Sequence, residues 1–182
     1  MPDQPVFYYD LASPACYLLA EQIVGGLPGA EWEPLLATQL AGSEVQPERS
    51  SLERRAVELG LQPLRWPRQW PPDTRLAMLA ATYAKGAGRT VAFSLAAFRQ
   101  AFAAGRDLGE QDTVLLAGAA CEMHPGAVLK GVSLKSVARA LDRAGERARS
   151  SGVRSIPAIT VGGSTFEGLD AIEQAMSAVD GR

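Results

Sequence analysis

Apolar residues first gather at Val6-Phe7-Tyr8-Tyr9, a short aromatic run that predicts a buried strand. Ser13 then offers an N-cap, and Pro14 falls at the first helical position, where its missing N–H costs nothing. Tyr17, Leu18, Leu19 and Ile23 continue that helix, and Gly25-Gly26 supplies a stop signal. Glu31 to Thr38, with Trp32, Leu35 and Leu36 apolar, predicts a second strand. Strand, helix and strand in so short a stretch make a βαβ unit with parallel strands.

The period then changes. From Pro47 to about Ala148 apolar positions recur at helical spacing. Leu76, Leu79, Ala80 and Tyr83 mark one helix, Val91, Leu95, Phe98 and Phe102 the next, and Gly86-Ala87-Gly88 parts them. Asp112 or Thr113 starts a further helix reaching Cys121, and Pro125 opens a short one. Ser133 or Ser136 begins a long one through Arg149, whose Arg139/Asp142 and Glu146/Arg149 pairs suit a solvated face. The proline-rich stretch from Pro63 to Pro72, carrying Trp66 and Trp70, reads as an irregular connector. Near the end, Ala158–Val161, Gly162-Gly163 and Ser164–Phe166 predict a hairpin whose turn needs positive φ. Asp170-Ala171-Ile172-Glu173 has the form of a capping box on a last helix. The expected fold class is therefore α/β, one domain interrupted by helices. We place the α/β part at 1–45 and 132–182 and the helical insertion at 46–131.

Composition narrows the function classes. The chain has 182 residues, 47% of them hydrophobic, with a formal net charge of −2. That is enough apolar material for a sizeable core and excludes broad disorder. The near-neutral balance argues against nucleic acid as the main partner. No run of about 18 apolar residues occurs, so no membrane span is expected. The start, Met1 to Val6, lacks the basic region and apolar run of a signal peptide, so a cytoplasmic location is expected. Two cysteines and one histidine leave no Cys/His zinc cluster and no metal site, and structural disulfides are not expected in that compartment.

Ser13-Pro14-Ala15-Cys16 has the layout of a Cys-Pro-x-Cys redox corner whose first cysteine is serine. A dithiol makes disulfides; Ser13 cannot, so an active site here would draw its thiol from elsewhere. A helix N-terminus favours negative charge, so Ser13 is either a plain cap or the stabiliser of a thiolate or alkoxide. Cys16, at the third helical position, is either an exposed thiol of lowered pKa or a small buried hydrophobe. Cys121, on an alanine-rich helix, reads as the latter. Ile156-Pro157, just before the hairpin, is either an edge device or a cis bond that turns Ile156's backbone toward the helix corner. His124 reads as a capping or surface residue, since no Gly-x-Ser-x-Gly elbow exists. Arg54 and Arg55 read as a solvated helix face. Trp66, Trp70 and Phe98 are candidate walls of an apolar cavity.

These segments, in this order, resemble the DsbA-like branch of the thioredoxin fold. Within it they are most similar to 2-hydroxychromene-2-carboxylate isomerases and kappa-class glutathione transferases. The similarity is carried by Phe7-Tyr8-Tyr9-Asp10-Leu11-Ala12-Ser13-Pro14-Ala15-Cys16-Tyr17, by Pro72-Asp73-Thr74 after a Trp/Pro-rich stretch, by Ile156-Pro157, and by Phe166-Glu167-Gly168-Leu169-Asp170. The resemblance implies a glutathione cofactor, with Ser13 bonding its sulfur. It implies that Ile156, before Pro157, takes the cysteinyl backbone, and that Leu169 and Asp170 receive the γ-glutamyl end. Asp73 and Trp66 fall on the side of the second substrate, a small aromatic or electrophilic molecule. Relatives are commonly homodimers. The chain departs from the pattern at Cys16, where serine or alanine is usual, at Asp73 for asparagine, and at Ala171 for arginine. It departs again in a shortened loop from Thr38 to Pro47 that lacks a lysine. Two other readings stay open: a monothiol oxidoreductase acting through Cys16, and a non-catalytic member that binds a thiol compound or a protein.

Overall fold

The computed structural model describes residues 4–42 and 48–181. The expected 45/46 boundary and the 43–47 part of the shortened loop lie outside the described residues.

Strand β1 (Val6–Tyr9) runs into helix α1 (Pro14–Gly26), which crosses to β2 (Glu31–Pro34). Helices α2 (Arg49–Glu58), α3 (Arg75–Gly86), α4 (Thr90–Phe102), α5 (Gln111–Ala120), α6 (Pro125–Val132) and α7 (Lys135–Ser150) follow. The chain closes with β3 (Ala158–Val161), β4 (Ser164–Glu167) and α8 (Ala171–Asp180). The four strands form one mixed sheet in the order β2-β1-β3-β4. β1 is parallel to β2 and antiparallel to β3, with Phe7 opposite Trp32 and Ile159. The expected α/β layout, with helices between two β parts, is present.

Strand alternation divides the sheet's faces. Phe7 and Tyr9 point into the main core, where Phe7 stacks on Tyr9 at 5.2 Å and meets Trp32 edge-on at 5.1 Å. Tyr8 points the other way, into a smaller cluster with Ala144 and Ala148 of α7. The main core is continuous from the sheet and α1 into the helices: Leu18, Met78, Phe98 and Phe102 belong to it. Buried Glu33 in β2 is held by Lys85 of α3 at 2.6 Å and Arg147 of α7 at 3.0 Å, so its charge stays paired on both sides.

Several element boundaries differ from the sequence reading. The second strand ends at Pro34, not Thr38, and a 3-10 turn covers Ala37–Gln39. There the chain leaves the sheet because Ala37 N–H donates to the Asp10 carboxylate at 2.9 Å. α1 runs through Gly26 and is closed by Leu27 N–H on the Ile23 carbonyl, while Gly29, at φ 85°, makes the turn. α3 buries Ala77, Met78, Ala80, Ala81 and Ala84, and the larger Leu76, Leu79 and Tyr83 flank that small-residue stripe. Val91 is 39% exposed, and the α4 core face is Phe93, Ala97, Phe98, Ala101 and Phe102. α5 starts one residue before Asp112, and α7 starts at Lys135, because Ser133 instead donates to the Lys130 carbonyl and closes α6. The expected capping box on α8 does not form. Asp170 makes no capping bond, and the Glu173 carboxylate is taken by Arg55 of α2 at 2.6 Å. Arg55 is therefore an inter-helix tie and not part of a solvated face. The Gly162-Gly163 turn is as expected, with φ of 58° and 78°.

Candidate functional site

The corner between β1 and α1 is built by one carboxylate. Asp10 is 4% exposed. Its Oδ1 accepts Ala12 N–H at 2.9 Å and the Thr74 hydroxyl at 3.0 Å, while its Oδ2 accepts Ala37 N–H at 2.9 Å. Burial raises the Asp10 pKa, and those three donors oppose the rise. Asp10 appears in the motif read from sequence but received no role there; the cue was an Asx turn two residues before Ala12.

Ser13 N–H closes the corner on the Asp10 carbonyl at 3.0 Å, and Pro14 begins α1. Ser13 Oγ accepts Cys16 N–H at 3.2 Å, so the predicted cap is real. A hydroxyl accepts through lone pairs and keeps its proton to donate. Half-buried Ser13 can thus cap the helix and still offer a hydrogen bond outward.

Cys16 resolves the alternative left open by its position. It has no solvent exposure, and burial pushes its thiol up to about 12, against the lowering influence of Ser13 and the Asp10 backbone. A helix N-terminus lowers a thiol pKa only where the thiolate can exist in contact with water or a cation. Cys121 is also buried, its pKa raised by burial, with its thiol donating to the Gly118 carbonyl at 3.2 Å. Burial likewise raises the pKa of Tyr9, whose phenol is bonded to Ser94 at 2.6 Å, so it serves as a core strut.

The late segments arrive at the same end of the sheet. The register sets Ala158 beside Tyr8, so Ile156 and Pro157 lie next to the end of β1 from which the Ser13 corner springs. The Ile156–Pro157 bond is cis, and Pro157 is buried while Ile156 is half-buried. Gly168 N–H donates to the Pro157 carbonyl at 2.9 Å, which brings 168–170 alongside. There Leu169 is half-buried against the core and Asp170 is exposed, within the electrostatic reach of Arg55. Ser13, Ile156, Pro157, Leu169 and Asp170 thus occupy segments that meet at the C-terminal end of β1.

Trp66 and Asp73 come from the irregular connector. Trp66 donates to Glu53 at 3.0 Å, meets Trp70 edge-on at 5.2 Å and carries the Arg49 guanidinium over its face at 4.4 Å. It reaches α1 through Phe102, which stacks on Tyr17. Asp73 is exposed and accepts Arg75 N–H at 3.0 Å, one residue before the Thr74 that holds Asp10. His124 caps α6, its Nδ1 accepting Gly126 N–H at 3.1 Å. Among the described residues no group of three or more His, Cys, Asp or Glu could hold a metal ion, and no helix is long and apolar enough to cross a membrane.

Fold and site together define a thioredoxin-like α/β protein with helices inserted between its two β parts and a serine at the usual redox corner. Residues 34–180 match the DSBA-like thioredoxin domain, and the chain belongs to that family. The matched stretch holds the Ile156-Pro157 hairpin side of the site, and the Ser13 corner precedes it. Among solved structures, a 2-hydroxychromene-2-carboxylate isomerase superposes with a TM-score of 0.84 at 18% identity, covering 97% of this chain and 94% of its own. A probable DsbA oxidoreductase from Streptomyces coelicolor gives a TM-score of 0.73 at 18% identity, covering 99% and 91%. The cytosolic disulfide reductase DsbM from Pseudomonas aeruginosa, solved with GSH, gives 0.69 at 14% identity, covering 98% of each chain. At these identities the likeness speaks to fold. No curated protein matches by sequence.

Proposed function

We propose that this protein is a glutathione-dependent isomerase or transferase similar to 2-hydroxychromene-2-carboxylate isomerase. The observation that carries the reading is the contrast within the corner: half-buried Ser13 presents its hydroxyl at a helix N-terminus, while Cys16 is sealed and held protonated. Such a corner is suited to receiving a thiolate and unsuited to supplying one. Bound glutathione would supply the nucleophilic sulfur. Ser13 would donate its hydroxyl proton as a hydrogen bond to that sulfur, and the α1 dipole would favour its negative charge. Ile156 would offer main-chain bonds to the cysteinyl unit, Leu169 its backbone and Asp170 a carboxylate to the γ-glutamyl ammonium. The donor set fits the group: a hydroxyl for the sulfur and an exposed acid for the ammonium. Catalysis would then rest on positioning and charge stabilisation. Trp66 and Asp73 would border a small aromatic or electrophilic second substrate. The same reading takes 46–131 as an inserted helical unit, the protein as cytoplasmic and its assembly as a homodimer. The superposition on the isomerase and the GSH-bound relative support it. Oxidoreductases stand among the structural relatives too, but a reading through Cys16 is disfavoured by its burial, since a thiol with no exposure cannot attack a disulfide.

The test is a glutathione titration followed by thiolate absorbance near neutral pH. Wild-type protein is expected to bind and to generate thiolate signal. Ser13→Ala is expected to bind glutathione with that signal lost and turnover reduced by about 10²–10³-fold, as for removal of one charge-stabilising donor. Absence of binding at millimolar glutathione would sink the proposal, and an unchanged signal in Ser13→Ala would return Ser13 to a capping role alone.

A further inference from the structure

Glu167, at the end of β4, spends its whole carboxylate on the loop that leads into Ile156. Its Oε1 accepts Arg154 N–H at 2.6 Å and Ser155 N–H at 3.0 Å, and its Oε2 accepts the Ser155 hydroxyl at 3.0 Å. The loop is gripped from its other side as well. Gly42 N–H donates to the Arg154 carbonyl at 2.7 Å, an approach so close that a β-carbon on Gly42 would stand 2.9 Å from that oxygen. Beyond Ile156, Pro157 is pinned by Gly168 at 2.9 Å. Ile156 therefore lies between two fixed points and makes none of these bonds itself.

Glu167 pairs with Ala158 across the hairpin, and Ala158 belongs to the cluster on the α7 face. Cross-strand partners share a face, so the Glu167 side chain lies on the α7 side of the sheet, away from the helix α1 corner. It cannot touch a ligand seated at Ser13. Burial would raise its pKa, but the Arg154 and Ser155 donors outweigh that and hold it below the ordinary carboxylate range. An ionised carboxylate accepting two main-chain N–H groups fixes the direction of the peptide that follows.

We propose that Glu167 is the positioning residue of the site, setting the main chain of Ile156 for the cysteinyl unit of a bound γ-glutamyl thiol peptide. The proposal rests on the glutathione reading above. It is tested by glutathione affinity at a temperature where every variant is folded, with melting temperature measured alongside. Glu167→Ala, which removes all three bonds, is expected to weaken glutathione binding about ten- to a hundredfold. Glu167→Gln keeps the reach and one acceptor and is expected to recover most of that loss. Ser155→Ala, which removes a single bond, should fall between Gln and wild type. If Glu167→Ala does not fold, Glu167→Asp, one methylene too short to reach all three donors, decides the matter in its place, through a severalfold loss of affinity or none. Variants that melt earlier yet bind glutathione as wild type does would overturn the proposal, because a purely structural brace moves stability alone. No binding by the wild-type protein would overturn the glutathione reading itself, and this inference with it; normal wild-type binding with unchanged variants overturns only the inference.

Discussion

Ser13 fills two roles through different parts of one hydroxyl. Its lone pair caps α1 by accepting Cys16 N–H, and its O–H, which also lies within hydrogen-bonding reach of the Cys16 thiol, is the part that can turn to a ligand. Ser13→Ala should therefore cost about 1 kcal/mol of stability from the lost cap, read as a modest fall in denaturation midpoint. Cys16, three residues on, is a core residue, and burial holds its thiol protonated. Both cysteines should resist a thiol probe in the native protein at pH 8 and react fully in denaturant, where ordinary thiol pKa values return. Rapid native labelling of one thiol would contradict the buried placement. At the hairpin, Glu167 gives a pH signature. Its folded pKa is lowered, so its contribution to stability is present above its unfolded pKa and lost as pH falls through the folded value. Acid titration of wild type against Glu167→Gln should show the two stability curves converging below about pH 4.5, since protonated Glu and Gln then differ little in charge.

At the scale of elements, small residues decide how closely the helices approach. Gly131 of α6 lies under the Tyr83 ring of α3, where any β-carbon would collide with the aromatic carbons. Helix propensity favours Ala over Gly by about 1 kcal/mol, whereas forcing an extra methyl against a packed ring costs about 1–3 kcal/mol. Gly131→Ala should therefore be net destabilising by up to about 2 kcal/mol despite its better propensity, as chemical denaturation will show. The same economy explains why the Leu76, Leu79, Ala80 and Tyr83 pattern named the right helix but only one position, Ala80, of its buried stripe. Alanines at 77, 80, 81 and 84 carry little hydrophobic signal, yet they are what lets neighbouring helices close in.

On the scale of the whole molecule, Asp10 joins parts of the chain that no local pattern connects. It holds Thr74, 64 positions away, and Ala37, 27 positions away, as well as its own turn. Asp10→Ala would strand three donors in a buried corner, at about 1–3 kcal/mol for each that water cannot reach. The expected loss is about 3 kcal/mol or more, together with weakened glutathione binding, because the Ser13 corner and the head of α3 lose their common anchor. A midpoint within experimental error of wild type would contradict that role.

Features whose causes lie within a few residues could be read from the chain alone. The Ser13-Pro14 helix start, the Gly162-Gly163 hairpin, the irregular tryptophan connector and the α/β order with helices between are of this kind, since caps, turns and periodicity act over one or two turns of backbone. The distant pairings could not be read so. Whether Cys16 is exposed depends on how elements distant in the chain, α4 and α8 among them, pack on α1. Whether Glu173 caps α8 or binds Arg55 depends on where α2 lies, and Glu167's grip on Arg154 and Ser155 exists only once β3 and β4 have paired. The sequence determined that a serine stands at a helix N-terminus and that a proline leads into a late hairpin. Only the tertiary structure decided that its neighbouring thiol is sealed while the serine itself stays half-buried, because burial and desolvation belong to the packed chain and not to any one stretch of it.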